Sequence, residues 1–215
     1  MKKFIKKYIN DEIVLDKWQK IGVIAMLIVL SGIFGFLYEY IFYYFNGGME
    51  KFYWRGGNFS PWINIYAIGA ILILFFTNSH KKSPIKIFLL SVLITGLLEY
   101  FSGLVIYEFF GKGFWDYNVE IWNFGNIQGY ICLRSVLFFG LSALFEMYVM
   151  IPFIIFLATK MNKKLFVTIS IILCIIVLCD EVYNLVISKI LNTPNAIEIY
   201  KSYGLNFMNI IKTIL

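Results

Sequence analysis

A chain of 215 residues that is 60% hydrophobic, 20% aromatic and only 15% charged has too little polar surface for a soluble domain of its size. Its formal net charge of +6 sits beside apolar runs, which points to membrane orientation and excludes nucleic acid as a partner. Three cysteines, an odd number with no C-x-x-C, exclude a disulfide framework and a zinc site, and one lone histidine, His80, cannot build a His-rich one.

Residues 1–20 carry Lys2, Lys3, Lys6, Lys7, Lys17 and Lys20, with Phe4, Ile5, Tyr8, Ile9 and Ile13 at nearly helical spacing. This reads as an amphipathic helix on an anionic membrane surface. The apolar run that follows is too long for the core of a cleaved signal. The expected transmembrane bundle covers 21–190, with spans at about 21–45, 62–77, 85–110, 129–158 and 165–190, and an interfacial tail at 191–215. The fold class is therefore all-α, a polytopic membrane bundle of about five helices. The second span is slightly short, and the fourth is long enough that it should either tilt strongly or bend, with Pro152 as the break. Gly47-Gly48 ends the first span, and the loop after it holds Trp54, Arg55 and Asn58-Phe59-Ser60-Pro61-Trp62. The loop at 111–128 is aromatic and suits the interface. Within the tail, Leu205 to Leu215 is too short to span.

Lysines and arginines are dense before the first span and in the second and fourth loops, and sparse in the first and third. The alternation places the N-terminus in the cytoplasm and the C-terminus outside a cell membrane, with loops one and three facing outward. Sliding the chain by sixty residues lays Ser31, Leu37, Glu39 and Tyr40 on Ser91, Leu97, Glu99 and Tyr100, and Asn58-Phe59 is answered by Asn123-Phe124. Two parallel helical hairpins plus a fifth helix would follow from such a duplication, with a site between the repeats.

Charges inside hydrocarbon persist where they have partners or a function. Glu39 lies ~9 Å and Glu99 ~16 Å from the outer ends of their spans, and Arg134 lies at a depth similar to Glu39. The candidate binding set is Glu39, Glu99 and Arg134, with Asp116 at a gate, Trp115 and Tyr117 beside it, and Tyr40 and Tyr100 supplying hydroxyls. Glu39 and Arg134 are at heights that allow an ion pair, and Asp180 should lie near mid-membrane. Adjacent acids point in different directions on a helix, so Asp180 and Glu181 should not face one cavity, and Glu108 and Glu120 read as solvated. Two readings remain open: a polar cavity for a small solute or ion, or ion pairs that only pin helices together. Trp115-Asp116-Tyr117 likewise reads as a lid or as an interfacial belt in which Asp116 caps a turn.

No H-E-x-x-H, G-x-S-x-G or G-x-x-x-x-G-K-[ST] occurs. No catalytic residue, metal site or cofactor is expected, and an ATP-driven role would need a separate ATPase or other membrane subunit. The rival to transport is a membrane enzyme acting on a lipid at the outer leaflet, or a non-transporting scaffold or sensor subunit. Several motifs carry a resemblance: Pro61-Trp62, Ile65-Tyr66-x-x-Gly69, Glu99-Tyr100-x-x-Gly103, Trp115-Asp116-Tyr117, and Gly129-x-Ile131-Cys132-Leu133-Arg134-Ser135 with Gly140. With these, over about residues 30–145, the chain resembles the bacterial integral-membrane family called putative ABC-transporter type IV, or CmpB-like. Asn118, Ser60 and Asn64 depart from its pattern. The resemblance implies a small permease-like membrane component.

Overall fold

The computed structural model describes residues 2–47, 56–111 and 113–202. Trp54, Arg55, Gly48 and the Leu205–Leu215 segment lie outside the described residues. The elements are α1 (Lys2–Ile9), α2 (Lys17–Gly47), α3 (Asn64–Thr77), α4 (Pro84–Phe110), α5 (Leu133–Phe145), α6 (Ile151–Lys160), α7 (Lys163–Val182), α8 (Ser188–Ile190) and α9 (Ala196–Ser202). Four of them are joined into two longer units: a π-helical turn at Glu146–Met150 fuses α5 to α6, and another at Tyr183–Ile187 fuses α7 to α8. Four helical stretches are long and apolar enough to cross a bilayer, Lys17–Phe45, Pro84–Phe110, Leu133–Lys160 and Lys163–Ile190, and a shorter apolar helix lies at Asn64–His80.

The helices are inside-out relative to a soluble protein. On α4, Leu89, Leu93, Leu97, Phe101 and Val105 form an exposed stripe at four-residue spacing. The opposite face buries Ser91, Thr95, Gly96, Glu99 and Gly103. Hydrocarbon solvates the leucine stripe as well as a protein core would, so small and polar residues are left to hold helices together. Packing runs from α7 to α2, α3, α4 and α5 in turn, and α6 returns to α2. Leu27, Ile73, Met147, Ile151 and Ile154 fill the centre.

The hydrogen-bond ladder of the fourth span changes just before Pro152. A proline has no N–H and its ring collides with the carbonyl four residues back, so the ladder must change pitch there. The chain answers with the π turn, in which the Ile151 N–H reaches the Glu146 carbonyl five residues earlier.

Two connections dip back into the bundle. The Trp62 indole N–H donates to the Ile28 carbonyl at 3.0 Å and the Ile63 N–H to the Gly32 carbonyl at 3.1 Å. α3 therefore begins beside the middle of α2, and its 14 residues cover only ~21 Å. The same occurs in the second half. Tyr130 packs on Gly103 and Ile131 on Gly96, so α5 also begins at mid-height on α4. Irregular backbone at this depth must be satisfied by protein. For the first connection Asp180 and Glu181 do so. Asp180 accepts from the Phe59 and Ser60 N–H groups at 2.9 and 2.7 Å and from the Ser60 hydroxyl at 2.5 Å. Glu181 accepts from the Asn58 and Asn64 amides, both at 2.6 Å. The two adjacent acids serve one loop after all, because that loop wraps around the side of α7.

At the lysine-rich end, α1 docks its apolar face on the bundle. Tyr8 is buried, Phe4 sits edge-on to Phe156 with ring centres 5.5 Å apart, and Lys3, Lys6 and Lys7 stay exposed. Asp16 starts α2: its carboxylate accepts from the Trp18 and Gln19 N–H groups at 2.9 and 3.1 Å, and Lys163 pairs with it at 2.7 Å. The Lys163 hydrogen bond and then the backbone donors hold its carboxyl below the usual aspartate range. A depressed folded-state value means the contribution is present above the unfolded value, about 3.9, and fades as pH falls through the lower folded one. Acid titration of melting temperature should therefore show a smaller loss in Asp16→Asn than in wild type. Parallel curves would remove Asp16 from the acid response.

Candidate functional site

The two half-height helix starts put matching groups in matching places. The third residue of α3 is Tyr66, whose hydroxyl donates to Glu39 at 3.3 Å. The third residue of α5 is Ser135, whose hydroxyl donates to Glu99 at 2.7 Å. Each Glu-Tyr helix thus offers its carboxylate to the opening turn of the helix that follows it, where free backbone N–H groups favour negative charge. Glu39-Tyr40 and Glu99-Tyr100, sixty residues apart in the chain, thus meet the third residue of the helix that follows each of them.

Glu39, Arg134 and both donors to Glu99 border one cavity, together with Tyr38, Phe42 and Tyr43 from α2 and Tyr66 from α3. Its volume of about 30 Å³, counted as room for the centre of a water molecule, suits one or two waters. Glu99 is 3% exposed and reaches the cavity through its partners. It accepts from the Tyr117 hydroxyl at 2.8 Å as well as from Ser135.

Arg134 forms its ion pair with Glu120, at 2.7 Å, and not with Glu39. Both side chains are largely shielded, so Glu120 is not the solvated acid the sequence suggests. The long aromatic loop folds back over the bundle far enough to bring Glu120 to the guanidinium. Phe42 and Tyr117 lie against that guanidinium, with ring centres 4.3 and 5.5 Å away. The buried Arg134 Nε has no hydrogen-bond partner among the described residues.

The Trp115-Asp116-Tyr117 knot divides its labour. The Trp115 indole N–H donates to the Tyr130 carbonyl at 2.9 Å. Asp116 is exposed and turns the chain, accepting from the Asn118 N–H and side-chain amide at 2.9 and 2.8 Å. The Asn118 side-chain oxygen in turn accepts from the Asn126 amide at 2.7 Å, so asparagine at this position cross-braces the loop. Gly129 passes so close that a Cβ there would press on Asp116 and Asn118, at a positive φ of 78°. Tyr117 alone of the three points into the bundle. Burial first, then the Glu99 carboxylate beside it, hold its phenol far above the usual tyrosine range, which keeps it a hydrogen-bond donor.

The structure thus gathers Glu39, Glu99, Arg134 and Tyr117 at one place and leaves the remaining candidates around it. Tyr100 donates to Gln128 at 3.0 Å, Tyr40 stacks on Tyr44 at 6.2 Å, and Asp116 and Trp115 build the covering loop. Sequence reasoning missed Glu120, Ser135 and Tyr66. The last two stand inside the motifs quoted for the family resemblance. Glu120 carried no local signal.

A family model described as putative ABC-transporter type IV matches residues 26–185. No curated protein and no solved structure matches the chain.

Proposed function

Because the chain belongs to the putative ABC-transporter type IV family, we propose that it is a permease-like membrane component whose intramembrane site binds a small solute or ion. The observation that carries this reading is the convergence of Glu39, Arg134 and the Glu99 donors on one small polar cavity. Half-height helix starts aimed at a polar site between repeated units are a recurring transporter arrangement. The unpartnered Arg134 Nε offers a donor to a guest, and the Glu39 carboxylate borders the same cavity. As it stands the cavity fits a water-sized guest. Anything larger requires the covering loop, held by Tyr117–Glu99 and Arg134–Glu120, to lift. In this proposal the loop is the lid and Tyr117 its latch. With no phosphate-binding loop in the sequence, an ATP-driven cycle would take its ATPase from a second subunit.

Proteoliposomes of the pure protein, screened with labelled amino acids, polyamines and monovalent cations, give the test. Glu99→Gln keeps the side-chain shape but removes the charge, and should lower uptake by about tenfold or more while insertion and melting hold. Uptake equal to wild type would refute a binding role for Glu99.

A further inference from the structure

A second chamber, walled mostly by apolar side chains, lies in the bundle. It holds about 20 Å³, enough for one water, and is bordered by Ser31, Tyr66, Phe139, Ser142, Glu146 and Met150 among others. Tyr66 and Phe139 also border the chamber of Glu39 and Arg134. Their rings are stacked 5.2 Å apart, so this one pair forms the wall between the two spaces. Glu146 is 5% exposed, and its Oε1 has no hydrogen-bond partner among the described residues; nor has the buried Ser142 hydroxyl. Glu146 sits where the π turn begins, and such turns recur at functional positions in helices.

We propose that Glu146 is an intramembrane proton-binding carboxyl, and that the two chambers on either side of Tyr66–Phe139 are successive stations for a proton crossing the bundle. The proposal goes beyond the solute reading and shares with it only the chamber of Glu39 and Arg134.

A carboxylate at this depth without a counter-charge is costly, and the binding of one proton removes the charge. A metal cation fits poorly. Hard divalent cations take six or more oxygens, whereas this chamber offers the Glu146 carboxylate and the hydroxyls of Ser31 and Ser142. The Ser31 hydroxyl is already committed to the Leu27 carbonyl at 2.6 Å. A protonated carboxyl needs one acceptor, which a single water in the chamber supplies.

The titratable groups around Glu146 fit that role. On the chamber side stands Tyr66, whose hydroxyl already bonds Glu39 beyond the wall. Toward the lysine-rich end, Tyr8 of α1 is within electrostatic reach, and its buried hydroxyl also lacks a partner among the described residues. Past it lies the Lys81–Asp11 ion pair, with the Lys81 ammonium over the Tyr8 ring at 4.6 Å. Tyr148, on the same turn, is committed to the Lys81 carbonyl at 2.8 Å. No cation faces the Glu146 carboxyl directly among the described residues. In the transfer, a water in the chamber gives a proton to the Glu146 carboxylate, forming its O–H bond, while that water takes up a proton from the hydronium or water beyond it; release runs through the same exchanges in reverse.

Infrared difference spectroscopy of the full chain in liposomes reads this directly through the C=O stretch of a protonated carboxyl. The expected result is a band that disappears as pH is raised, shifts in D₂O, shifts again with ¹³C-glutamate labelling, and is lost in Glu146→Gln. It should survive in Glu99→Gln, which separates it from the solute site. If Glu146→Gln does not fold, the isotope shift in wild type, read against Glu99→Gln, still assigns the band. Phe139→Ala, which thins the wall, should speed the D₂O shift. A Glu146 band fixed at every pH and unmoved by D₂O would mark an inert structural carboxyl and overturn the proposal, as would the absence of any Glu146 band.

Discussion

Asp180→Ala is expected to be among the most destabilising single changes in this protein. Four donors converge on that carboxylate: the Phe59 and Ser60 N–H groups, the Ser60 hydroxyl and the Asn184 amide. Asp180 lies seventeen residues after Lys163 on a transmembrane helix, ~25 Å along it, so the loop it holds is within the span and not above it. Water there is scarce, and a buried donor stripped of its acceptor costs ~1–3 kcal/mol. Ser60 carries two of the donors, and Phe59 is more exposed, so the whole change should cost about 3 kcal/mol. In detergent this is a fall in melting temperature on the order of 10 °C. Asp180→Asn should fall between, since its amide keeps one acceptor oxygen and turns a donor toward two other donors. Ser60→Ala removes one contact and should cost least. Wild-type melting in Asp180→Ala would show that the loop at 58–63 holds its place without α7.

The same loop marks where the sequence becomes hard to read. Apolar run lengths reveal the spans, because crossing a bilayer requires about twenty such residues whatever the neighbours are. The break in the helix ladder before Pro152 is equally local. A loop that re-enters the bundle leaves no such trace. Its only sign was the shortness of the second span, and its support comes from Asp180 and Glu181, some 120 positions away. Likewise, depth arithmetic places Glu39 and Arg134 at similar heights and suggests a pair, but height says nothing about rotation around a helix axis. The partner that reaches Arg134 is Glu120, delivered by a loop whose path depends on Asn118, Asn123 and Asn126 bonding one another and the backbone. The meeting of Glu99 with Ser135 and Tyr117 is a matter of chain geometry at both ends. The family-like motifs held all three residues without saying that they touch.

Gly35→Ala carries the second large effect, and it concerns the wall between the chambers. A methyl group on Gly35 would fall within the van der Waals envelope of three ring carbons of Tyr66. That ring cannot step aside cheaply: Phe139 stacks on it at 5.2 Å and Tyr38 abuts it at 6.4 Å. Overpacking of this kind costs ~1–3 kcal/mol, and here it should lie at the upper end. Emptying the site with Tyr66→Ala leaves a hole and costs about 3–5 kcal/mol. The two changes oppose each other in volume, so the double variant should be more stable than their sum by ~1–2 kcal/mol. The Gly35→Ala ring shift also pulls the Tyr66 hydroxyl from Glu39, whereas Gly69→Ala, where the nearest Phe139 atom would be 3.5 Å away, should leave that contact alone. Additive melting data for Gly35 and Tyr66 would mean the ring is not wedged against α2, and the wall would then have to be held from the Phe139 side alone.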